Sequence, residues 1–142
     1  MKKLFLAVAL VMVMCSGVYA VDSTVTERMT WRGNDMFIVS LDWTAATAGT
    51  FTSYVLKSPT PGCLFYVITN PGSPAPTDDY DITVLNSDGI DMAGTQLANR
   101  DTANSEDVKL TTVRCSYDTV TVTISNNSEA LAAGTIRLFF GR

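Results

Sequence analysis

The sequence predicts an all-β protein: an antiparallel β-sandwich of about eight or nine short strands, with a barrel as the second architecture. Three observations predict it. Residues 21–142 hold nineteen threonines among 122 positions, and β-branched side chains suit a pleated surface while losing rotamer freedom in a helix. Thr119-Val120-Thr121-Val122-Thr123-Ile124 alternates without a break, as a strand with one face on a core and the other in water must. No stretch of these residues keeps a helical period, and turn residues recur between short apolar runs.

The segment ahead of the sandwich is of another kind. Of residues 1–20, sixteen are hydrophobic and two are lysines. Met1-Lys2-Lys3 is a positive start, residues 4–14 are an unbroken apolar run, and Val18 and Ala20 stand at the −3 and −1 positions of a signal-peptidase cut. A signal-like hydrophobic helix is expected over 1–20, and export to the periplasm or beyond follows from it. The run falls short of the about 20 apolar residues of a membrane span, although reading on to Val21 leaves an uncleaved anchor as the alternative. Cys15 does not read as a lipid-attachment site, because Met14 stands directly before it where a small residue is wanted and Met12 at −3 matches poorly. Residues 21–142 remain as one β-sandwich domain, large enough for a core and too short for two ordinary ones.

The strands are expected in order. Residues 23–31 alternate loosely. Residues 36–43 put Phe37, Val39, Leu41 and Trp43 on one face. Residues 51–57 and 63–69 are separated by Ser58-Pro59-Thr60-Pro61-Gly62, a turn by composition. Residues 63–68 are apolar on both faces, which suits a central strand. Residues 80–85 and 89–93 flank Asn86-Ser87-Asp88-Gly89, and an Asp-Gly pair between apolar runs is a hairpin signal. Residues 109–115, 117–125 and 135–140 complete the set, with Ile136, Leu138 and Phe140 sharing a face. Asn126-Asn127-Ser128 is turn chemistry, and residues 129–134 can form one helical turn before Gly134. Residues 70–79 hold three prolines and read as a stiff surface connection. Residues 94–107 form a long polar loop with Leu97 its only large apolar residue.

Composition limits the chemistry. The chain contains no histidine, which removes Ser-His-Asp and Cys-His nucleophiles, histidine bases and histidine metal ligands. Residues 21–142 carry 8 basic and 14 acidic side chains, net −6, so neither nucleic acid nor an anionic membrane surface is an expected partner. No stable membrane contact is expected once the signal is cut. Cys63 and Cys115 are an even pair in a chain read as exported, and one disulfide is expected. Two buried free thiols are the alternative. No CxxC spacing occurs, so zinc is not expected.

Other clusters read better as structure than as sites. Asp78, Asp79, Asp81, Asn86, Asp88 and Asp91 surround the hairpin, yet they lack EF-hand spacing and are ordinary turn residues. Paired carboxylates for glycoside hydrolysis find little cleft wall in a domain of this size. Among the aromatics, Trp43 and Tyr66 fall in phase with apolar neighbours and are expected in the core, whereas Trp31 is expected to be exposed. Arg28 and Arg32-Gly33-Asn34 make a small basic spot. Gly-rich phosphate loops and GxSxG elbows are absent from the sequence.

One long run carries a resemblance: Thr69-Asn70-Pro71-Gly72, Ala75-Pro76-Thr77, Asp79-Tyr80-Asp81-Ile82-Thr83, Asp88-Gly89-Ile90-Asp91, and Ala98-Asn99-Arg100-Asp101-Thr102-Ala103-Asn104-Ser105-Glu106. With Trp43-Thr44, Gly49-Thr50-Phe51 and Gly134-Thr135-Ile136-Arg137-Leu138-Phe139, it resembles small, β-rich, largely uncharacterised structural proteins of tailed bacteriophages and prophages, over most of residues 40–142. The resemblance implies a virion component with no catalytic residues to carry over. The signal-like segment and the cysteine pair stand outside the family pattern.

The expected function is that of a non-enzymatic phage-type structural or accessory protein. It would need no cofactor or metal and would act by contact with a virion or cell-surface protein, or with its own copies. Asn99, Arg100, Asp101 and Asn104 are the expected contact residues, because long polar loops held by a rigid scaffold are where recognition concentrates. The alternative is an exported binding module for a glycan or a cell-surface partner.

Overall fold

The computed structural model describes residues 20–57 and 62–142. The expected signal helix, Ala20 apart, and the Pro-rich turn at 58–61 lie outside them. Eight strands are present among the described residues: β1 Thr24–Arg32, β2 Met36–Thr44, β3 Tyr54–Val55, β4 Gly62–Pro71, β5 Asp81–Asn86, β6 Glu106–Ser116, β7 Val120–Ser125 and β8 Ala133–Gly141. They form two antiparallel sheets, one of five strands in the order β1-β2-β8-β4-β6 and one of three in the order β3-β7-β5. No α-helix occurs among the described residues.

Alternation decides which faces meet. Phe37, Val39, Leu41 and Trp43 of β2 and Ile136, Leu138 and Phe140 of β8 are buried, as are Val120, Val122 and Ile124 of β7 and Ile82 and Val84 of β5. These side chains from both sheets form one apolar cluster, so the sheets lie face to face over a shared core. Phe37 and Phe140 stack at 5.0 Å across the β2–β8 ladder, and Trp43 meets Phe51 edge-on at 5.9 Å. Each buried side chain of this size contributes about 1.5–3 kcal/mol of transfer free energy.

Three sequence expectations change. Residues 51–57 shorten to the two-residue β3, because their backbone donors go elsewhere: Thr52 N–H to the Ser23 hydroxyl and Lys57 N–H to Glu27. Residues 89–93 are not a strand. The Asn86–Gly89 turn does form, with Asn86 Oδ1 taking the amides of Asp88 and Ile90 and Gly89 at φ +75°. The returning chain then makes only a Leu85–Asp91 bridge, because the Asp91 carboxylate binds the amides of Val84, Ala93 and Thr95 and turns the backbone away.

Tyr66 is the third. It sits half-buried on the outer face of its sheet instead of in the core. The β4 ladder slips between Leu64 and Tyr66: Leu64 pairs with Phe140 while Tyr66 pairs with Phe139. Phe65 is the extra residue, and one inserted residue exchanges the faces of all that follow.

Candidate functional site

The loop expected to make contacts is tied into the body of the molecule. Arg100 pairs in an isolated bridge with buried Tyr80. Its guanidinium donates to the Ala98 carbonyl at 2.8 and 3.2 Å and lies 3.5 Å from Glu106, with 12% of the side chain exposed. Asp101 takes the amides of Ala103 and Asn104 and the Asn104 side chain. These donors, Asn104 first, hold its carboxyl below the usual carboxylate range. Asn99, at φ +55°, gives its amide to Asp81. Asn99 and Asn104 are exposed, whereas the Arg100 guanidinium is spent on the Ala98 carbonyl and Glu106 and the Asp101 carboxylate on donors of its own loop.

The acidic residues of the hairpin are spread over separate tasks. Asp91 organises the turn after β5, and Asp81 receives Asn99 and the Asn126 side chain. Among the described residues no group of three or more Cys, Asp and Glu side chains converges to hold a metal ion. Cys63 and Cys115 face each other in the β4–β6 ladder and are joined as a disulfide.

The aromatics divide between core and surface. Trp43 and Tyr80 are buried, and burial, with a smaller opposing effect of the Thr69 hydroxyl, pushes the Tyr80 phenol up to about 12. Trp31 is 47% exposed; it packs on Phe37 at 5.1 Å and carries the Arg142 guanidinium 4.7 Å above its ring. Tyr117 is 79% exposed.

The most distinctive surface is the outer face of the five-stranded sheet at its β1 edge. Strand register builds it row by row. Arg28 of β1 lies opposite Ser40 of β2, and Ser40 opposite Arg137 of β8. In the neighbouring row Thr30, Ile38, Phe139, Tyr66 and Lys109 follow one another across all five strands. Two strand spacings put the Arg28 and Arg137 backbones about 10 Å apart, and four residues along β1 put Arg32 about 13 Å from Arg28.

These three arginines border a shallow depression of about 300 Å³ floored by Ile38, Ser40 and Phe139. Arg28 is paired with Asp42 at 2.6 Å. Neither Arg32 nor Arg137 has a carboxylate within 4 Å among the described residues. Phe139 is flanked by Tyr66 and Phe65 at 5.2 and 6.5 Å. The Tyr66 hydroxyl donates to Asp107, and that bond holds its phenol above the usual range.

Among the described residues the outer edge of β1 has no strand partner. No described backbone group other than those of β2 bonds the backbone of residues 24–32; the Lys57 amide reaches only the Glu27 side chain. Sequence reasoning noticed Arg28 and Arg32 but not Arg137. The period-two spacing of the first pair is legible, whereas the pairing of β2 with β8 that brings in the third is a long-range event. No family model matches the chain, and no curated protein and no solved structure matches it either.

Proposed function

We propose that this chain is a non-enzymatic structural or accessory protein of the tailed-phage type, a β-sandwich that works by protein–protein contact. The open β1 edge supports this reading. The outer edge of this nine-residue strand, paired with β2 on its other side, offers a partner backbone donors and acceptors, with arginines on one face and Trp31 on the other. The resemblance of residues 69–106 to phage structural proteins supplies the virion context. Residues 94–105, the expected loop 94–107 less the two residues that open β6, then serve as a rigid support, with exposed Asn99 and Asn104 as the available contacts.

Fractionation of purified phage particles tests the reading. The protein should co-sediment with particles at a fixed ratio to the major virion proteins and begin at Val21 by mass spectrometry. Recovery only in the particle-free medium would refute the virion role, and an intact Met1 would refute the cut.

Trp31 favours a second reading, an exported glycan-binding module. Its ring borders a surface depression of about 350 Å³ together with Gly33, Asn34 and Arg142. Affinity electrophoresis in gels containing polysaccharide tests this, with Trp31→Ala abolishing any retardation.

A further inference from the structure

The geometry points to a specific occupant for the β1 edge: an extended acidic segment of a protein partner, added as a sixth strand, with two carboxylates four residues apart on one face and apolar residues between them on the other. This rests on the protein–protein reading above and names the chemistry of the partner.

The outer face of β1 presents Thr24, Thr26, Arg28, Thr30 and Arg32 and no acid, while its inner face presents Met29 and Trp31 near the open end. A strand laid beside β1 places its own side chains directly opposite these. Residues opposite Arg28 and Arg32 are four apart whichever way the added strand runs. Those between them, on the other face, meet Met29 and Trp31.

Charge makes the choice of partner. Residues 21–142 are net −6 with eight basic side chains, yet two of the eight lie on this strand and a third, Arg137, lies two strands away on the same face. Arg32 is exposed and has no carboxylate within 4 Å among the described residues. Arginines on an edge also discourage like strands. Pairing β1 with a second β1 would gather four arginines on one face, and only the two Arg28 have a carboxylate at hand, that of Asp42 in the same copy. A second copy is thereby disfavoured through this edge, while an acidic strand is accepted.

A labelled nine-residue peptide, Thr-Val-Asp-Val-Thr-Val-Asp-Val-Thr, is the probe. Binding is followed by fluorescence anisotropy and by amide shifts of the isotope-labelled protein. The expected result is saturable binding with shift changes centred on residues 24–32. Arg32→Glu should weaken it about tenfold, and Arg137→Glu less. A lysine-for-aspartate probe should fail on the native protein and bind the Arg28→Glu, Arg32→Glu double variant. An aspartate probe N-methylated along its pairing edge should not bind, since it keeps the charges and loses the ladder.

Equal binding of the N-methylated or lysine probe would overturn the proposal, as would absence of binding at millimolar peptide. So would a dimer in sedimentation whose interface protects the β1 amides from exchange. None of these outcomes bears on co-sedimentation with particles, so the two readings fail separately. Arg32 makes no ion pair with a described residue, and circular dichroism of its variant checks that the fold is kept.

Discussion

The carboxylate of Glu27 on β1 accepts the Tyr54 hydroxyl at 3.0 Å and the Lys57 amide at 2.9 Å. It ties the edge strand of one sheet to the edge strand of the other, where backbone pairing is confined to the two residues of β3. Removing the acceptor strands both donors in a partly wet site. Glu27→Ala should lower stability by about 1–2 kcal/mol in urea unfolding, and Tyr54→Phe by about 1 kcal/mol. The double variant should fall short of the sum, because the two share one bond. Hydrogen exchange at the Lys57 amide should speed up in the first variant only.

Burial, aided by Glu27, pushes the Tyr54 phenol up to about 12, and burial does the same for Tyr80. Both folded values lie above the ordinary 10. The fold therefore favours the protonated phenols, and what they contribute to stability is whole below about pH 10 and lost as the pH rises towards 12. The urea midpoint should decline over that window in step with phenolate absorbance. Tyr80→Phe should flatten the decline, at whatever overall stability it has.

Asp91 binds the amides of Val84, Ala93 and Thr95 at 3.2, 3.0 and 2.9 Å. Asp91→Ala should cost about 2 kcal/mol, mostly from donors left without an acceptor. The loss should be the same in calcium and in chelator. A destabilisation that calcium modulates would instead assign this carboxylate to a cation.

Cys63 and Cys115 close a loop with a sequence separation of 52 residues. In the chain-entropy model that restricts the unfolded state by about 4 kcal/mol. Thiol reduction, or paired replacement by alanine, should lower the Tm by roughly 10–20 °C, with the slope of urea unfolding changing as the unfolded chain expands.

How much could be read from the chain alone follows the range of each interaction. The alternation of residues 119–124 and 136–140 is local, and it placed Val120, Val122, Ile124, Ile136, Leu138 and Phe140 on buried faces, where they lie. Tyr66 escaped because a one-residue bulge leaves no mark in the hydrophobic pattern. Arg100 looked available because its neighbours are polar. Its ties to Tyr80, 20 positions away, and to Glu106 depend on how the loop folds back. The arginine face escaped for the same reason: Arg28 and Arg137 are separated by 109 positions and joined only through Ser40.

The position of β8 has a consequence for assembly of the fold. It is the last strand in sequence order and the third in its sheet, bonded to β2 on one side and β4 on the other. Until β8 is in place, the β1–β2 hairpin and the β4–β6 pair are separate ribbons, each with an apolar face and an open inner edge. Neither is expected to be stable alone in water. Insertion of residues 133–141 supplies two ladders and Ile136, Leu138 and Phe140 together, so folding should be a late, all-or-none closure at high contact order. Nascent chains that stop short of residue 133 should accumulate as protease-sensitive species prone to pairing with one another.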